Sequence, residues 1–235
     1  MLWSSKRILG LKVAATDGAI GSIHDIYFED EAWSIRYFVV DTGGWLSGRR
    51  VLLSPRALGR PDRDAAQVPA SLTQEQVRNS PPYDFAQPIS LQYETELAGY
   101  YTWPDPSMYP ISVVMAAPPV PTVVPGAVHA AAVERTPGPH LRSIRDLFGY
   151  AIHVRGGEIG TAEDFIVDDR SWRIDRIVVE TGTWFSGRKV AVPSRYSRRI
   201  RWSGQVIYMD VAKDEIERLP EFYPKLEVHE PVTRA

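Results

Sequence analysis

The chain contains no cysteine. It therefore has no disulfide framework, no thiolate metal ligand and no thiol nucleophile. Histidine is scarce: His24, His129, His140, His153 and His229 are the full set, and no H-x-x-x-H or HExxH spacing joins them. A long hydrophobic run is missing too. The longest apolar tract, 111–133, is broken by prolines, by Gly126 and by His129, whereas a spanning helix needs about 20 predominantly apolar residues. The opening stretch, 1–7, has no charged segment followed by an apolar core and does not read as a secretory signal. Charge of one sign is also lacking. A net charge of −2 argues against a dedicated nucleic-acid binder, which carries a basic surplus. These absences lead to the expectation of a cytoplasmic protein that is not integral to a membrane, with peripheral association left open.

What is present is an ordinary globular composition, 44% apolar and 24% charged, arranged as an internal repeat. Shifting the chain by about 139 positions lays Gly10 over Gly149, Gly18 over Gly157, Gly21 over Gly160, Asp25 over Asp164, Asp30 over Asp169 and Trp33 over Trp172. The best segment is 39–51, with Thr42-Gly43-Gly44-Trp45-Leu46-Ser47-Gly48-Arg49 over Thr181-Gly182-Thr183-Trp184-Phe185-Ser186-Gly187-Arg188. No gap is needed up to Pro81 over Pro220. A match this long implies duplication, and repeats of this kind govern the whole fold.

The recurring glycines mark turns and strand bends, where positive φ or close backbone approach is required. Between them lie short runs rich in Val, Ile, Phe and Tyr, read as strands. Residues 21–28 form one, with Ile26 and Phe28 on one face and Ile23 and Tyr27 on the other. Residues 35–41 are apolar on both faces and read as a central strand. Residues 50–53 and 206–210 give further strands, and Pro69 marks 68–71 as a weak edge. Thr73-Gln74-Glu75-Gln76 has the capping-box pattern, predicting a short helix that stops before Pro81. A second such helix is expected over 213–218. The fold class is mainly β: two small barrels, closed or half-open, each with a short C-terminal helix. The domains expected are 1–97, a Pro-rich linker over 98–139, and 140–235. The linker aromatics Tyr100, Tyr101, Trp103 and Tyr109 either pack back on a barrel or dock a partner.

No catalytic set and no metal site is expected, because no titratable cluster recurs in both copies. Asp30 and Asp169 fall in turns, where Asp hydrogen-bonds its own backbone. Asp25 and Asp164 lie mid-strand, suited to capping a backbone group or pairing with an arginine. The sharpest candidates for interaction are Trp45, Arg49 and Arg50, with their twins Trp184, Arg188 and Lys189. Trp and Arg are enriched at interface hot spots. The plainer reading is that the tryptophan caps its barrel and the arginine bonds a carbonyl. A weaker basic patch, Arg195, Arg198, Arg199 and Arg201, is interleaved with Tyr196 and Trp202 and could face a phosphate backbone or anionic lipid. Basic and acidic residues nearly balance over 140–235, however, so a solvated strand face is the plainer reading there.

The runs 33–43 and 45–51, and again 172–190, resemble the PRC-barrel family. The segment Leu72-Thr73-Gln74-Glu75-Gln76-Val77-Arg78-Asn79-Ser80-Pro81-Pro82-Tyr83-Asp84 is similar to the tail of bacterial members. That resemblance implies two small SH3-like PRC β-barrels, a kind of barrel that docks on a larger assembly. The family includes the cytoplasmic part of the photosynthetic reaction-centre H subunit and the C-terminal domain of a 30S ribosome maturation factor. The chain departs from the first in lacking an N-terminal membrane helix, and from the second in carrying two barrels and no separate N-terminal domain. The expected function is non-catalytic docking or scaffolding, with no cofactor and an unidentified protein partner. A reaction-centre H-chain-like accessory role in electron transfer and a ribosome- or RNA-associated role are the alternatives. The two barrels are expected to pair about a pseudo-two-fold axis, or the chain to form a homo-oligomer.

Overall fold

The computed structural model describes residues 1–85, 89–103, 141–182 and 187–223. The first repeat runs β1 (Leu2–Ser4), α1 (Ser5–Ile8), β2 (Lys12–Ala14), β3 (Ala19–Glu29), β4 (Ser34–Asp41), β5 (Arg50–Leu53), β6 (Gln67–Pro69), α2 (Gln74–Arg78) and α3 (Leu91–Tyr100). The second runs β7 (Leu141–Ser143), β8 (Ala151–Arg155), β9 (Gly157–Asp168), β10 (Arg173–Thr181), β11 (Lys189–Pro193), β12 (Ser197–Arg201), β13 (Val206–Ala212) and α4 (Lys213–Glu217). The proline-rich stretch expected as a linker lies, from residue 104 onward, outside the described residues.

Each barrel grows around one long hairpin. In the first, β4 pairs antiparallel with β3 on one side and β5 on the other, and residues 35–40 are all buried. This is the central strand that its two apolar faces predict. The twin, β10, pairs with β9 and β11 in the same way. Strand β6, which contains Pro69, stands at the end of the sheet order, as proline's missing N–H requires.

The face assignment of Ile23 is corrected. The register between β3 and β4 slips between Ile23 and Asp25, leaving His24 as an extra residue. A bulge reverses the alternation beyond it, so Ile23 and Ile26 both turn into the core, at 1% and 0% exposure. The same slip recurs at Glu163 in β9. Gly21 and Gly160 sit just before these bulges for a steric reason. A Cβ on either would lie 2.0 Å from the backbone oxygen of Asp41 or Glu180.

The repeats exchange their first strands. β1 of the first repeat pairs with β9 of the second, Leu2 opposite Asp168 and Ser4 opposite Ile166. β7 of the second pairs with β3 of the first, Leu141 opposite Glu29 and Ser143 opposite Tyr27. Each barrel thus takes its outer strand from the other half of the chain. Helix α3 runs across residue 97. Tyr101 is buried and stacks on Trp103 at 4.3 Å, and Tyr100 donates its hydroxyl to Gln76 O at 2.8 Å. These aromatics pack back on the first barrel.

The two hairpin tips meet where the barrels join. Trp33 and Trp172 both have left-handed backbones, φ 54° and 51°, unusual for bulky residues. Ile35 N–H donates to Trp172 O at 2.9 Å, and Ile174 N–H donates to Trp33 O at 2.8 Å. The Trp33 ring stacks on Phe28 of its own repeat and reaches Phe165 of the other, centroids 5.2 and 6.3 Å away. Trp172 meets Phe38 edge-on at 5.0 Å. Left-handed strain costs about 1–3 kcal/mol per residue. Burying an indole of ~150–250 Å² returns about 4–6 kcal/mol before entropy is counted, so packing outweighs strain. The buried side chains of both repeats form a single continuous cluster.

Candidate interaction site

The Gly-flanked loop after β4 is shaped by its own barrel. Trp45 is half-buried, and its indole N–H donates to Ile20 O. The Arg78 guanidinium lies over its ring at 5.6 Å. Arg49 reaches the end of α2: its guanidinium donates to Arg78 O at 3.0 Å, Ser80 O at 2.5 Å and Pro81 O at 3.0 Å. These are orphan carbonyls at and just beyond a helix C-terminus, which a cation satisfies well. Trp45 and Arg49 are thus placed as cap and clamp. Arg50 is exposed; burial first, and then the charges of Arg50 and Arg145, hold the His24 imidazole below its usual range.

In the second repeat, Arg188 donates to Leu219 O at 2.9 Å, repeating the clamp on the segment after α4. Lys189 pairs with Glu163 at 3.3 Å. Trp184 lies outside the described residues.

The basic patch is distributed along the edge strand β12. Arg198 bonds Asp210 at 3.1 Å, and Asp210 also faces Arg155 at 3.5 Å. Arg199 and Arg201 both sit over the ring of Tyr208, at 5.7 and 5.4 Å. His153 packs edge-on against the same ring at 5.5 Å. Arg195 turns to Tyr196 at 5.0 Å. Arg199 and Arg201 are exposed, so the structure brings Arg199, Arg201, Tyr208 and His153 into one solvent-facing strip. Charge on an edge strand also discourages strand-to-strand aggregation.

A cleft of about 500 Å³ opens where the barrels join, bordered by Arg36, Arg56, Arg60 and Arg170 with Ser34 and Ser171. Asp169 at its rim accepts from the N-terminal ammonium at 2.6 Å and from the Trp3 indole at 3.3 Å. Deeper in the first repeat, Arg36 meets Glu94 of α3 at 3.4 Å with both side chains buried. Burial pushes the Glu94 carboxyl up, against the pull of Arg36.

The recurring mid-strand carboxylates turn out to hold the exchange together. Asp25 accepts from Ile26 N–H and from Ser143 Oγ, both at 2.7 Å. Asp164 accepts from Phe165 N–H at 2.8 Å, from Ser5 Oγ at 2.7 Å and from Ser4 Oγ. Burial pushes the Asp25 carboxyl up, and the serine and amide hydrogen bonds offset this only in part. The next basic residue on each arm reaches the bulge of the opposite barrel. Lys6 pairs with Glu163 at 2.6 Å, and Arg145 donates to His24 O at 2.5 Å. The lysine hydrogen bond is the main reason the Glu163 carboxyl lies below its ordinary value. Sequence reasoning saw the aspartates recur and missed Ser4 and Ser143. The signal was there, since these serines also stand 139 residues apart.

Among the described residues, no group of three acidic, histidine or cysteine side chains is placed to hold a metal ion. No helix there is long and apolar enough to cross a membrane. The fold is that of a duplicated small β-barrel protein whose repeating polar residues join the two copies.

Comparison with known proteins places it further. The PRC-barrel domain matches residues 4–71 and again 140–216, and the chain belongs to that family. The first match begins at Ser4, the last residue of β1, and the second at 140, one residue before β7. An uncharacterized protein of Deinococcus radiodurans is 44% identical over 64 residues, which is 27% of this chain and 23% of that protein. The match thus spans under a quarter of the relative's length.

Proposed function

We propose that the chain is a non-catalytic docking protein of the cytoplasm, in which two PRC barrels are locked into one unit that presents its surface to a protein partner. The observation that carries this reading is the use made of the duplicated polar residues. Asp25 and Asp164 hold the exchanged arms, and Arg49 and Arg188 hold the segments that follow α2 and α4. Duplication preserved a frame, and chemistry available to a partner lies on its outside. The strip of Arg199, Arg201 and Tyr208 has the residue types enriched at interface hot spots.

The test is affinity capture from the native organism with the full chain, beside a variant carrying Arg199→Glu, Arg201→Glu and Tyr208→Ala. A stoichiometric protein retained by the parent chain and lost by the variant is the expected result. Recovery of no specific partner, or turnover of a substrate by the purified chain, would refute the reading. A reaction-centre-associated role is its narrower form and requires that the captured partner be a pigment–protein complex.

The stacking of Arg199 and Arg201 on Tyr208 favours one second reading, contact with RNA, where arginine and aromatic faces combine. In that case binding of a single-stranded oligonucleotide weakens steeply with added salt. No binding at low salt removes it.

A further inference from the structure

One face of the two repeats is built alike and finished differently. In the first repeat α3 packs onto it. Glu94 meets Arg36 on β4 at 3.4 Å, Tyr93 donates to Pro81 O at 3.0 Å, and the rings of Tyr83 and Tyr93 lie 4.8 Å apart. Beneath, Arg36, Tyr37 and Leu52 are 9%, 4% and 2% exposed. The equivalent positions of the second repeat are Asp175, Arg176 and Ala191. There the Asp175 and Arg176 side chains are 48% and 35% exposed, and Ala191 is half-buried. Among the described residues no helix covers them. They border instead an open groove of about 290 Å³, closed at its far side by Leu219, Pro220 and Phe222.

The charges say what fits. Where the covered face offers a cation, Arg36, to the acid Glu94 of α3, the open face offers a carboxylate. Asp175 bonds its chain neighbour Arg176 at 3.0 Å, and Arg195 and Glu221 line the same groove. An exposed pair such as Asp175 with Arg176 is worth little and is readily exchanged. Leu219 and Phe222, both half-exposed, supply the apolar side, as Pro81 and Tyr83 do in the first repeat. Continued past Pro220, the 139-residue shift lays Val232 and Thr233 in sequence over Tyr93 and Glu94 of α3. The chain's own tail thus lacks the aromatic and the charge at these two points.

We propose that this groove on the second repeat seats an amphipathic helix of a partner protein, one that sets a lysine or arginine on Asp175 and an apolar side chain against Leu219, Pro220 and Phe222. The inference rests on the docking reading and names its surface. It reuses in trans the helix-in-groove packing that the first repeat makes in cis.

The probe is a fluorescein-labelled peptide of residues 89–103, in its own sequence and with Glu94→Lys, titrated into the full chain by anisotropy. The Glu94→Lys peptide binds more tightly than the parent peptide, by about tenfold for one matched against one opposed charge. Asp175→Arg inverts that order, and Asp175→Asn removes the advantage of the Glu94→Lys peptide. Urea midpoints close to that of the parent chain certify that both variants fold. Absence of binding by either peptide, or a preference indifferent to Asp175, overturns the proposal. So does binding that appears only after deletion of 224–235, which assigns the groove to the chain's own tail. So does self-association that Asp175→Arg abolishes, which assigns it to a second copy. A chain that rejects both peptides yet retains a specific partner in affinity capture loses only this groove; one that does neither loses the docking reading with it.

Discussion

The Ser143 hydroxyl donates to the Asp25 carboxylate at 2.7 Å across 118 residues of chain. Ser4 makes the twin contact with Asp164. Each bond ties the arm of one repeat to the bulged strand of the other, so the two barrels form one packing unit. The first expected consequence is mutational. Asp164→Ala leaves Ser4, Ser5 and the Phe165 amide without their acceptor, at about 1–3 kcal/mol for buried donors left unsatisfied. A single cooperative urea transition with a lowered midpoint is expected. Two separate transitions, one per barrel, would show that the arms do not couple the repeats.

Asp25 carries a pH signature. Burial raises its folded-state value above 3.8, so the folded chain holds this proton more tightly than the unfolded chain does. The contribution is fully present below pH 3.8 and declines as pH rises through the folded value. Asp25→Asn removes the ionisation. The difference in urea stability between Asp25→Asn and the parent chain is therefore expected to move in favour of the variant as pH climbs from 3.8, then to level off. A difference that stays constant with pH contradicts the assignment.

Arg36 and Glu94 form a buried pair whose members depend on each other. Arg36→Met alone strands the Glu94 carboxyl and is expected to cost about 3–5 kcal/mol. Arg36→Met combined with Glu94→Leu is expected to recover most of that loss, because the seat then becomes apolar throughout. Calorimetric melting of the two single variants and the double variant closes the cycle. Additive losses would mean that the pair is not coupled.

Gly21 tests the bulge. A methyl group there would meet Asp41 O at 2.0 Å, against backbone held in the β3–β4 ladder. Gly21→Ala is expected to lower stability by more than the roughly 1 kcal/mol typical of a point substitution. Gly44→Ala has open space around its Cβ and is the control, with a change within about 0.5 kcal/mol. Equal melting temperatures for the two variants would remove the steric account.

Much of the barrel could be read directly along the chain. Strand positions, the capping box at Thr73 and the edge status of the Pro69 strand follow from local periodicity and backbone chemistry, which act over a few residues. The repeat identified the architecture twice over. The face of Ile23 could not be read, because a bulge at His24 is a property of two paired strands and leaves no mark in one. The candidate site divides the same way. Trp45 and Arg49 were legible as a conspicuous pair of residues. That Arg49 would point at the carbonyls of Ser80 and Pro81 depends on where the helix ends in space.

Residue type and spacing were therefore enough to establish a duplicated, mainly β chain, and the resemblance of its motifs pointed to the PRC barrels that the family match shows. They could not reveal that β1 and β7 change places, that Trp33 and Trp172 interlock at the hairpin tips, or that α3 packs onto the face of the first repeat. A strand has the same sequence whichever sheet edge it joins. Its choice between two similar barrels is decided by contacts more than a hundred residues away, Ser4 with Asp164 and Ser143 with Asp25, and those contacts exist only once the chain has folded back on itself.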